Sequence, residues 1–223
     1  MLMMSSGYYL DNDVILKMCS YGVGPELVFL STVDDLAPAI LALARFTLRS
    51  RVERSRVLVE PKSVFAQLEA VLVQVRLLEP TREEIDMAAD LEAAATAANL
   101  SFDAGESQLV SMLMARGGLG FITGDKRAAK AMSVVLPRLE GRMVCLEQVI
   151  HSVVVLFGVE PLRSSVCREK AADRAVANCF QCSLPNVDAL SVLQGLESYS
   201  RALRSETGRL LVAGSGISSA EVA

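Results

Sequence analysis

The chain has 223 residues, of which 52% are hydrophobic and 22% are charged, and this composition excludes an intrinsically disordered protein. The formal net charge of -4 excludes a protein that coats nucleic acid through overall positive charge, but leaves room for a local basic rim. The first residues lack a secretory signal and the apolar runs are too short to span a bilayer, so we expect a cytoplasmic protein without a membrane segment. In that compartment all cysteines are expected to be reduced and unpaired.

The first half of the chain predicts strands and helices in alternation. Residues 8–16 form a short apolar run with an Asp-Asn-Asp insert, which is typical of a buried strand that delivers polar side chains into a crevice. Residues 27–30 predict a second strand, and the residues after it predict a helix that takes Pro38 early. Amphipathic helices are then predicted over residues 63–78 and over the alanine-rich residues 85–100.

The second half predicts a strand between two helices, followed by a helical end. A helix over residues 104–116 closes at two glycines, a strand over 119–124 ends directly in Asp125, and a helix follows over 126–136. A last short strand is predicted over residues 142–146. We therefore expect an α/β fold, namely a three-layer sandwich around a parallel sheet of four to five strands. Its parts are residues 8–146, a helical extension over 147–211 and a flexible tail over 212–223.

Three acidic residues lie at the ends of predicted elements. Asp11 and Asp125 end two different predicted strands, and Glu106 lies in the first turn of the helix before the second of these strands. In an open parallel sheet, ligands bind outside the carboxyl ends of the strands, so these three carboxylates are expected to converge. A cluster of carboxylate oxygens without histidine or cysteine suits Mg²⁺ or Mn²⁺ rather than zinc.

Three blocks of sequence resemble the PIN-domain family of metal-dependent nucleases, in its bacterial, toxin-type branch. They are YYLDNDVIL at residues 8–16, FDAGE at 102–106 and ITGDKR at 122–127. The first is similar to the opening strand of the family, the second to an Asp-x-Gly-Glu helix start, and the third to a Thr-x-Asp strand end. The resemblance covers residues 8–146 and implies hydrolysis of phosphodiester bonds by a metal-activated water.

The resemblance also implies roles for individual residues. Asp11 matches the first acid of the family, Glu106 the third and Asp125 the fourth, with Thr123 at the hydroxyl position. The second acid is usually a Glu in the helix after the second strand, and Ala37 is the nearest equivalent here. Asp34 lies three residues earlier on the same face of the predicted helix, so it is expected to substitute. Further candidates are Asp13 and Asp103 as metal ligands, and Lys126 as a phosphate contact.

Two other groups of residues allow both a structural and a functional interpretation. The arginine-rich stretch over residues 45–56 is either a solvated helix face or a rim that contacts phosphate. Cys179 and Cys182 have the spacing of a zinc half-site, with Cys167 upstream. Because a second pair is missing, buried cysteines that behave as small hydrophobic residues are expected instead.

Together these features predict an endoribonuclease that uses Mg²⁺ or Mn²⁺ to cut RNA, single-stranded RNA above all. The toxin-type resemblance further implies an antitoxin or another regulatory protein as partner, and the apolar helices of the extension are expected to support a homodimer. Because Ala37 stands where the family usually has its second acid, an alternative is a non-catalytic PIN-like module for interaction or assembly. A zinc-stabilised helical adaptor is the third interpretation.

Overall fold

In the computed structural model, which describes residues 7–217, five parallel strands form one sheet. The strands are β1 (Tyr8–Leu10), β2 (Ala39–Leu41), β3 (Arg76–Leu78), β4 (Gly120–Thr123) and β5 (Met143–Cys145). They lie in the order β3-β2-β1-β4-β5, and β1 pairs with β4 so that Leu10 stands opposite Ile122. The predicted α/β fold with a parallel sheet of four to five strands is therefore confirmed.

Helices flank this sheet. In chain order they are α1 (Asn12–Ser20), α2 (Gly24–Ser31), α3 (Ala44–Glu53), α4 (Pro61–Leu72), α5 (Arg82–Ala97), α6 (Ala104–Arg116), α7 (Lys126–Val135), α8 (Leu146–Phe157), α9 (Glu160–Arg168), α10 (Arg174–Cys179) and α11 (Ala189–Thr207). Two buried clusters result: Leu10 lies in one and Tyr9 in the other. Because successive side chains of a strand point to opposite faces, β1 anchors both layers.

The chain leaves β1 at Asp11 and turns at once into a helix. The Asp11 side chain accepts a hydrogen bond from the backbone N–H of Asn12 at 2.6 Å, and its extended backbone makes it the N-cap of α1. Val14 and Ile15 are buried on α1. The prediction that Asp11 ends the first strand is therefore confirmed, whereas the inclusion of residues 12–16 in the same strand run is wrong, because the cap starts a helix directly after Asp11.

Two further boundaries differ from those predicted. Residues 27–30 belong to α2 rather than to a second strand, since Pro25 stands in its first turn and Phe29 alone of these four residues is exposed. Helix α4 ends at Leu72, and the chain then forms β3, whereas the sequence predicted a helix through residue 78. Hydrophobic runs this short fit either a strand or a buried helix.

The second strand is β2, which lies where the sequence predicted a helix. Asp34 and Asp35 have φ values of 49° and 59°, in the left-handed region that no helix interior tolerates. They form a turn before Pro38, and β2 begins directly after this proline. Parallel pairing with β1 and β3 on its two sides holds the strand in place.

The C-terminal helices pack onto the sheet rather than standing apart from it. Val149 and Val153 of α8 belong to the same buried cluster as Leu10, and Leu203 of α11 belongs to the cluster on the other face. The predicted C-terminal helices are thus present and share both halves of the core. Among residues 7–217, no helix combines the length and apolar character needed to cross a bilayer.

The segment after α11 runs along the outer edge of the sheet. Leu211 forms a parallel bridge with Met143 of β5, and the N–H of Val212 donates to the carbonyl oxygen of Met143 at 2.8 Å. The carbonyl oxygen of Gly214 accepts a hydrogen bond from Gln148. Residues 212–217 of the predicted tail make such contacts, while residues 218–223 lie outside the described residues.

Cys167 and Cys182 form a disulfide bond, with their Cα atoms 5.1 Å apart. The expectation that all cysteines are reduced and unpaired is therefore wrong. A disulfide requires two Cα atoms at this separation, which depends on how the chain folds back after α9 and not on the spacing in the sequence. Cys179 is free and buried, as expected of a cysteine that behaves as a small hydrophobic residue, while the disulfide takes Cys182 from the alternative zinc half-site.

Candidate functional site

The carboxyl ends of β1 and β4 open into a cavity of about 440 Å³. Its acidic lining residues are Asp11, Asp13, Asp103, Glu106 and Asp125. The topology explains this convergence, because β1 and β4 are adjacent in the sheet and α6 starts beside their ends. The three acids singled out by the resemblance therefore share one cavity with two of the secondary candidates.

Asp11 is one of the two buried acids of the cavity, with 7% of its surface exposed. One carboxylate oxygen accepts the N–H of Asn12, and the other accepts the hydroxyl of Thr123 at 3.1 Å. Thr123 in turn accepts the backbone N–H of Asp125 at 3.0 Å, so it links the two strand ends. Burial, reinforced by the negative charge of Asp13, raises the pKa of Asp11 to about 6.

Glu106 is placed by the start of α6. Its Oε2 accepts the backbone N–H of Asp103 at 3.1 Å, which holds the side chain over the first turn, and the residue is 6% exposed. Burial and then the negative charge of Asp11 raise the pKa of Glu106 to about 8. At neutral pH, the protein without a cation therefore keeps Glu106 protonated.

Asp125 is held by Arg127. Its Oδ1 accepts the backbone N–H of Arg127 at 2.7 Å, which caps α7, and its Oδ2 lies 2.6 Å from the guanidinium. Burial raises the pKa of Asp125, but the hydrogen bonds and positive charge of Arg127 outweigh burial and hold the pKa below its usual range. The Arg127 side chain is 72% exposed, so this ion pair is largely open to solvent.

Two predicted site residues lie away from the cavity. Lys126 does not line the cavity, and its Nζ lies 2.7 Å from Glu147 and 4.9 Å from the centre of the Tyr199 ring. Asp34 is exposed in the turn before β2, whereas the cavity lies beyond the carboxyl end of that strand. The helical face on which Asp34 was expected does not exist, which is why it cannot stand in for the second acid.

A further wall of the cavity comes from α3, the helix that follows β2. Leu43, Ala44, Thr47 and Arg51 line the cavity at helical spacing. Among the described residues, no acid of α3 joins them. The sequence offered a signal for this face in the i, i+4 series from 43 to 51, but placing the second strand at residues 27–30 hid it.

The arginine-rich stretch divides between the two interpretations. Arg51 lines the cavity, as the phosphate-rim interpretation requires. Arg49 instead forms a bidentate ion pair with Glu69 of α4 at 2.6 and 2.8 Å. The guanidinium of Arg45 lies 4.6 Å from the centre of the Phe46 ring. A single basic side chain of this stretch is therefore available at the cavity.

A divalent cation fits the chemistry of this cavity. The acidic lining supplies oxygen ligands, and a bound cation would favour the ionised forms of Asp11 and Glu106, whose pKa values burial raises in its absence. As the side chains lie, no three acidic, histidine or cysteine groups within residues 7–217 are close enough to hold one metal ion together. For Asp125 to bind a metal ion, its ion pair with Arg127 would have to break.

Comparison with models of protein families, with curated proteins and with solved structures finds no match for this chain. The resemblance to PIN domains accordingly stays a prediction from three blocks of sequence. The function has to be inferred from the residues of the cavity, since a fold alone does not define an activity.

Proposed function

We propose that the protein is a metal-dependent endoribonuclease whose active site is the acidic cavity. The observation that carries this proposal is the convergence of Asp11, Glu106 and Asp125 from β1, α6 and the end of β4 on one cavity. Burial raises the pKa of both Asp11 and Glu106, so ionising them costs free energy in the protein without a cation, and acids of this kind cluster at functional sites.

Each residue of the cavity has a task in this proposal. Asp11, Glu106 and Asp125 hold Mg²⁺ or Mn²⁺, with Asp13 and Asp103 at the margin. Thr123 keeps the Asp11 carboxylate oriented through its 3.1 Å hydrogen bond. When bound, the cation lowers the pKa of a water molecule and offsets the negative charge that grows on the phosphate.

Basic side chains on two walls of the cavity would bind the RNA. Arg51 on α3 and Arg127 on α7 both line the cavity, and a guanidinium matches the geometry of a phosphate. A phosphate that displaces Arg127 from Asp125 would free this carboxylate for the cation. The overall charge of -4 is consistent with this arrangement, because only the local rim needs to be basic.

A second candidate function is a non-catalytic module for interaction or assembly. Two observations favour it: α3 presents Thr47 and Arg51 where a fourth acid would be expected, and Arg127 already neutralises Asp125. In this case the protein has no use for a divalent cation. Its unfolding temperature would then not rise on addition of Mn²⁺.

The test is cleavage of labelled single-stranded RNA by the purified protein in the presence of Mn²⁺. Asp11→Asn and Asp125→Asn are each expected to lower the rate at least about a hundredfold, since loss of a metal ligand removes several kcal/mol of charge stabilisation. Asp34→Asn is the matched control, because Asp34 is exposed away from the cavity. Cleavage that survives both cavity substitutions would exclude this mechanism.

The expected partners and location stay predictions. An antitoxin or regulatory protein, a homodimer and a cytoplasmic location follow from the sequence and its resemblance. The disulfide between Cys167 and Cys182 bears on the location, since disulfides are rare where glutathione keeps thiols reduced. Free thiols would be alkylated as the cells are lysed, and the alkylated cysteines would then be counted. The count would decide whether the disulfide between Cys167 and Cys182 forms inside the cell.

A further inference from the structure

Lys17 lies in a half-buried network of charged groups that borders the acidic cavity, whose lining includes Asp13. Its Nζ is 2.7 Å from Oδ2 of Asp13 and 2.9 Å from Oδ2 of Asp173, and it donates to the carbonyl oxygen of Gly124 at 3.5 Å. The side chains of Lys17 and Asp173 are only 14% and 13% exposed. An ammonium group carries three N–H donors, which matches these three acceptors.

The three acceptors come from distant parts of the chain. Asp13 lies on α1, two residues after Asp11, and Gly124 directly precedes Asp125. Asp173 precedes α10, in the C-terminal extension. The network therefore joins the two strand ends that carry cavity acids to a segment that the resemblance to PIN domains does not cover.

The turn at Gly124 is packed closely against this network. A Cβ atom at this position would lie 2.5 Å from Oδ2 of Asp13 and 3.1 Å from Nζ of Lys17. Glycine is therefore what allows the backbone of the turn to approach the ion pair. The contact that Lys17 makes with this turn is its 3.5 Å hydrogen bond to the Gly124 carbonyl oxygen, directly before Asp125.

Asp173 has two separable roles. Its Oδ1 accepts the backbone N–H groups of Ala175 and Val176 at 2.9 and 3.1 Å, which caps α10. Its Oδ2 pairs with Lys17. An asparagine at this position would keep the capping oxygen while removing the charge that holds Lys17, so one substitution can separate the two roles.

We infer that Lys17 and Asp173 are positioning residues through which the C-terminal extension fixes the turn carrying Asp125 relative to Asp11. This inference rests on the proposed function, because the residues that it positions are the proposed metal ligands. Neither Lys17 nor Asp173 lines the cavity. They act through Gly124 and Asp13, as the outer partners of metal ligands do in other metal sites.

The experiment measures Mn²⁺ binding by calorimetry and amide hydrogen exchange at residues 123–127. Asp173→Asn is expected to weaken Mn²⁺ binding about tenfold or more and to speed exchange in this segment. Asp188→Asn is the matched control, since Asp188 caps α11 through Ser191 in the same extension and forms none of the ion pairs found among residues 7–217. It is expected to leave both measurements unchanged.

Lys17→Met separates positioning from simple electrostatics. Asp173→Asn removes a negative charge and Lys17→Met removes a positive one, so charge alone would weaken Mn²⁺ binding in the first variant and tighten it in the second. Positioning requires both variants to bind Mn²⁺ more weakly and to exchange faster at residues 123–127. Opposite effects on binding would overturn the inference.

Failure of this inference can be distinguished from failure of the proposed function. If the wild-type protein binds no Mn²⁺, the proposed function fails, but hydrogen exchange still reports on the turn. Unchanged exchange at residues 123–127 in folded Lys17→Met and Asp173→Asn proteins would overturn the positioning role. Normal Mn²⁺ binding by both variants beside a binding-competent wild type would overturn it as well.

Discussion

Replacing Glu106 by glutamine is expected to stabilise the protein at alkaline pH when no divalent metal is present. Glu106 is buried beside the carboxylate of Asp11, and its pKa of about 8 means that folding favours the protonated acid. Glutamine has nearly the same shape and carries no charge. It also retains an oxygen that can accept the N–H of Asp103, so the start of α6 is preserved.

The size and sign of the effect follow from linkage. The contribution of Glu106 is fully present below its ordinary pKa of 4.5, and is lost as the pH rises through the folded value of about 8. This difference of about 3.5 pH units corresponds to about 5 kcal/mol, at ~1.36 kcal/mol per unit. Water in the open cavity and the repulsion shared with Asp11 reduce it, so we expect a loss of about 2–3 kcal/mol.

The assay is urea unfolding in the presence of a chelator, at about pH 5 and about pH 8.5. The Glu106→Gln protein should match the wild type at the lower pH and exceed its stability at the higher one. Glu84→Gln is the matched control, since Glu84 holds the same position in the capping box of α5 and is 4% exposed. Hydrogen bonds from Arg116 lower the pKa of Glu84, so this carboxylate is ionised and paired in the folded protein. Glu84→Gln should therefore destabilise the protein at both pH values.

A flat result would refute this reasoning. If the wild type is equally stable at both pH values, or if Glu106→Gln is less stable than the wild type at the higher one, Glu106 does not carry the burial cost assigned to it. Addition of Mg²⁺ gives a second comparison. It should stabilise the wild type more than the Glu106→Gln protein, because only the wild type has this carboxylate to offer.

Three further predictions concern Asp125, Arg127 and the disulfide. Asp125→Asn keeps a capping oxygen for α7, so the free energy of unfolding should change by less than about 1 kcal/mol in urea titrations, while Mn²⁺ binding measured by calorimetry should be lost. Arg127→Gln removes an exposed ion pair worth less than about 1 kcal/mol and should tighten Mn²⁺ binding about threefold to tenfold; weaker binding would show that Arg127 does not compete with the cation. Replacing Cys167 and Cys182 by serine opens a loop of 15 residues and should lower the free energy of unfolding by about 3 kcal/mol, whereas equal urea midpoints would contradict a disulfide in the native protein.

Local signals in the sequence were sufficient for the segment from α6 to α7. Asp103 starts α6, and Gly117 ends it in a left-handed conformation with φ of 69°. Asp125 caps α7 directly after β4. Because these caps are encoded by adjacent residues, the predicted boundaries of both helices agree with the structure to within one residue. The meeting of Asp11, Glu106 and Asp125 at one cavity follows from the same strand-end positions.

The structure of residues 11–43 could not be predicted from adjacent residues, because it depends on partners that are distant in the sequence. β2 has three residues and forms a strand through pairing with β1 and β3, which no local pattern reveals. Placing the second strand at residues 27–30 moved the expected second acid to Asp34. The role of Leu43, Ala44 and Thr47 as a cavity wall was therefore missed, although the arginine-rich stretch that includes Arg51 already suggested a phosphate contact. The link from Asp173 to Lys17 is equally non-local and appears only in three dimensions.

The backbone contacts of Met143 with Leu211 and Val212 also bear on how the chain avoids association. An unpaired strand edge is a template on which another chain can add a strand, and here the chain covers the β5 edge with its own later residues. A second copy therefore finds this edge already occupied. During synthesis, however, the edge stays open until residues 210–212 have emerged. A product truncated before them would expose β5 and should be more prone to aggregate than the full chain.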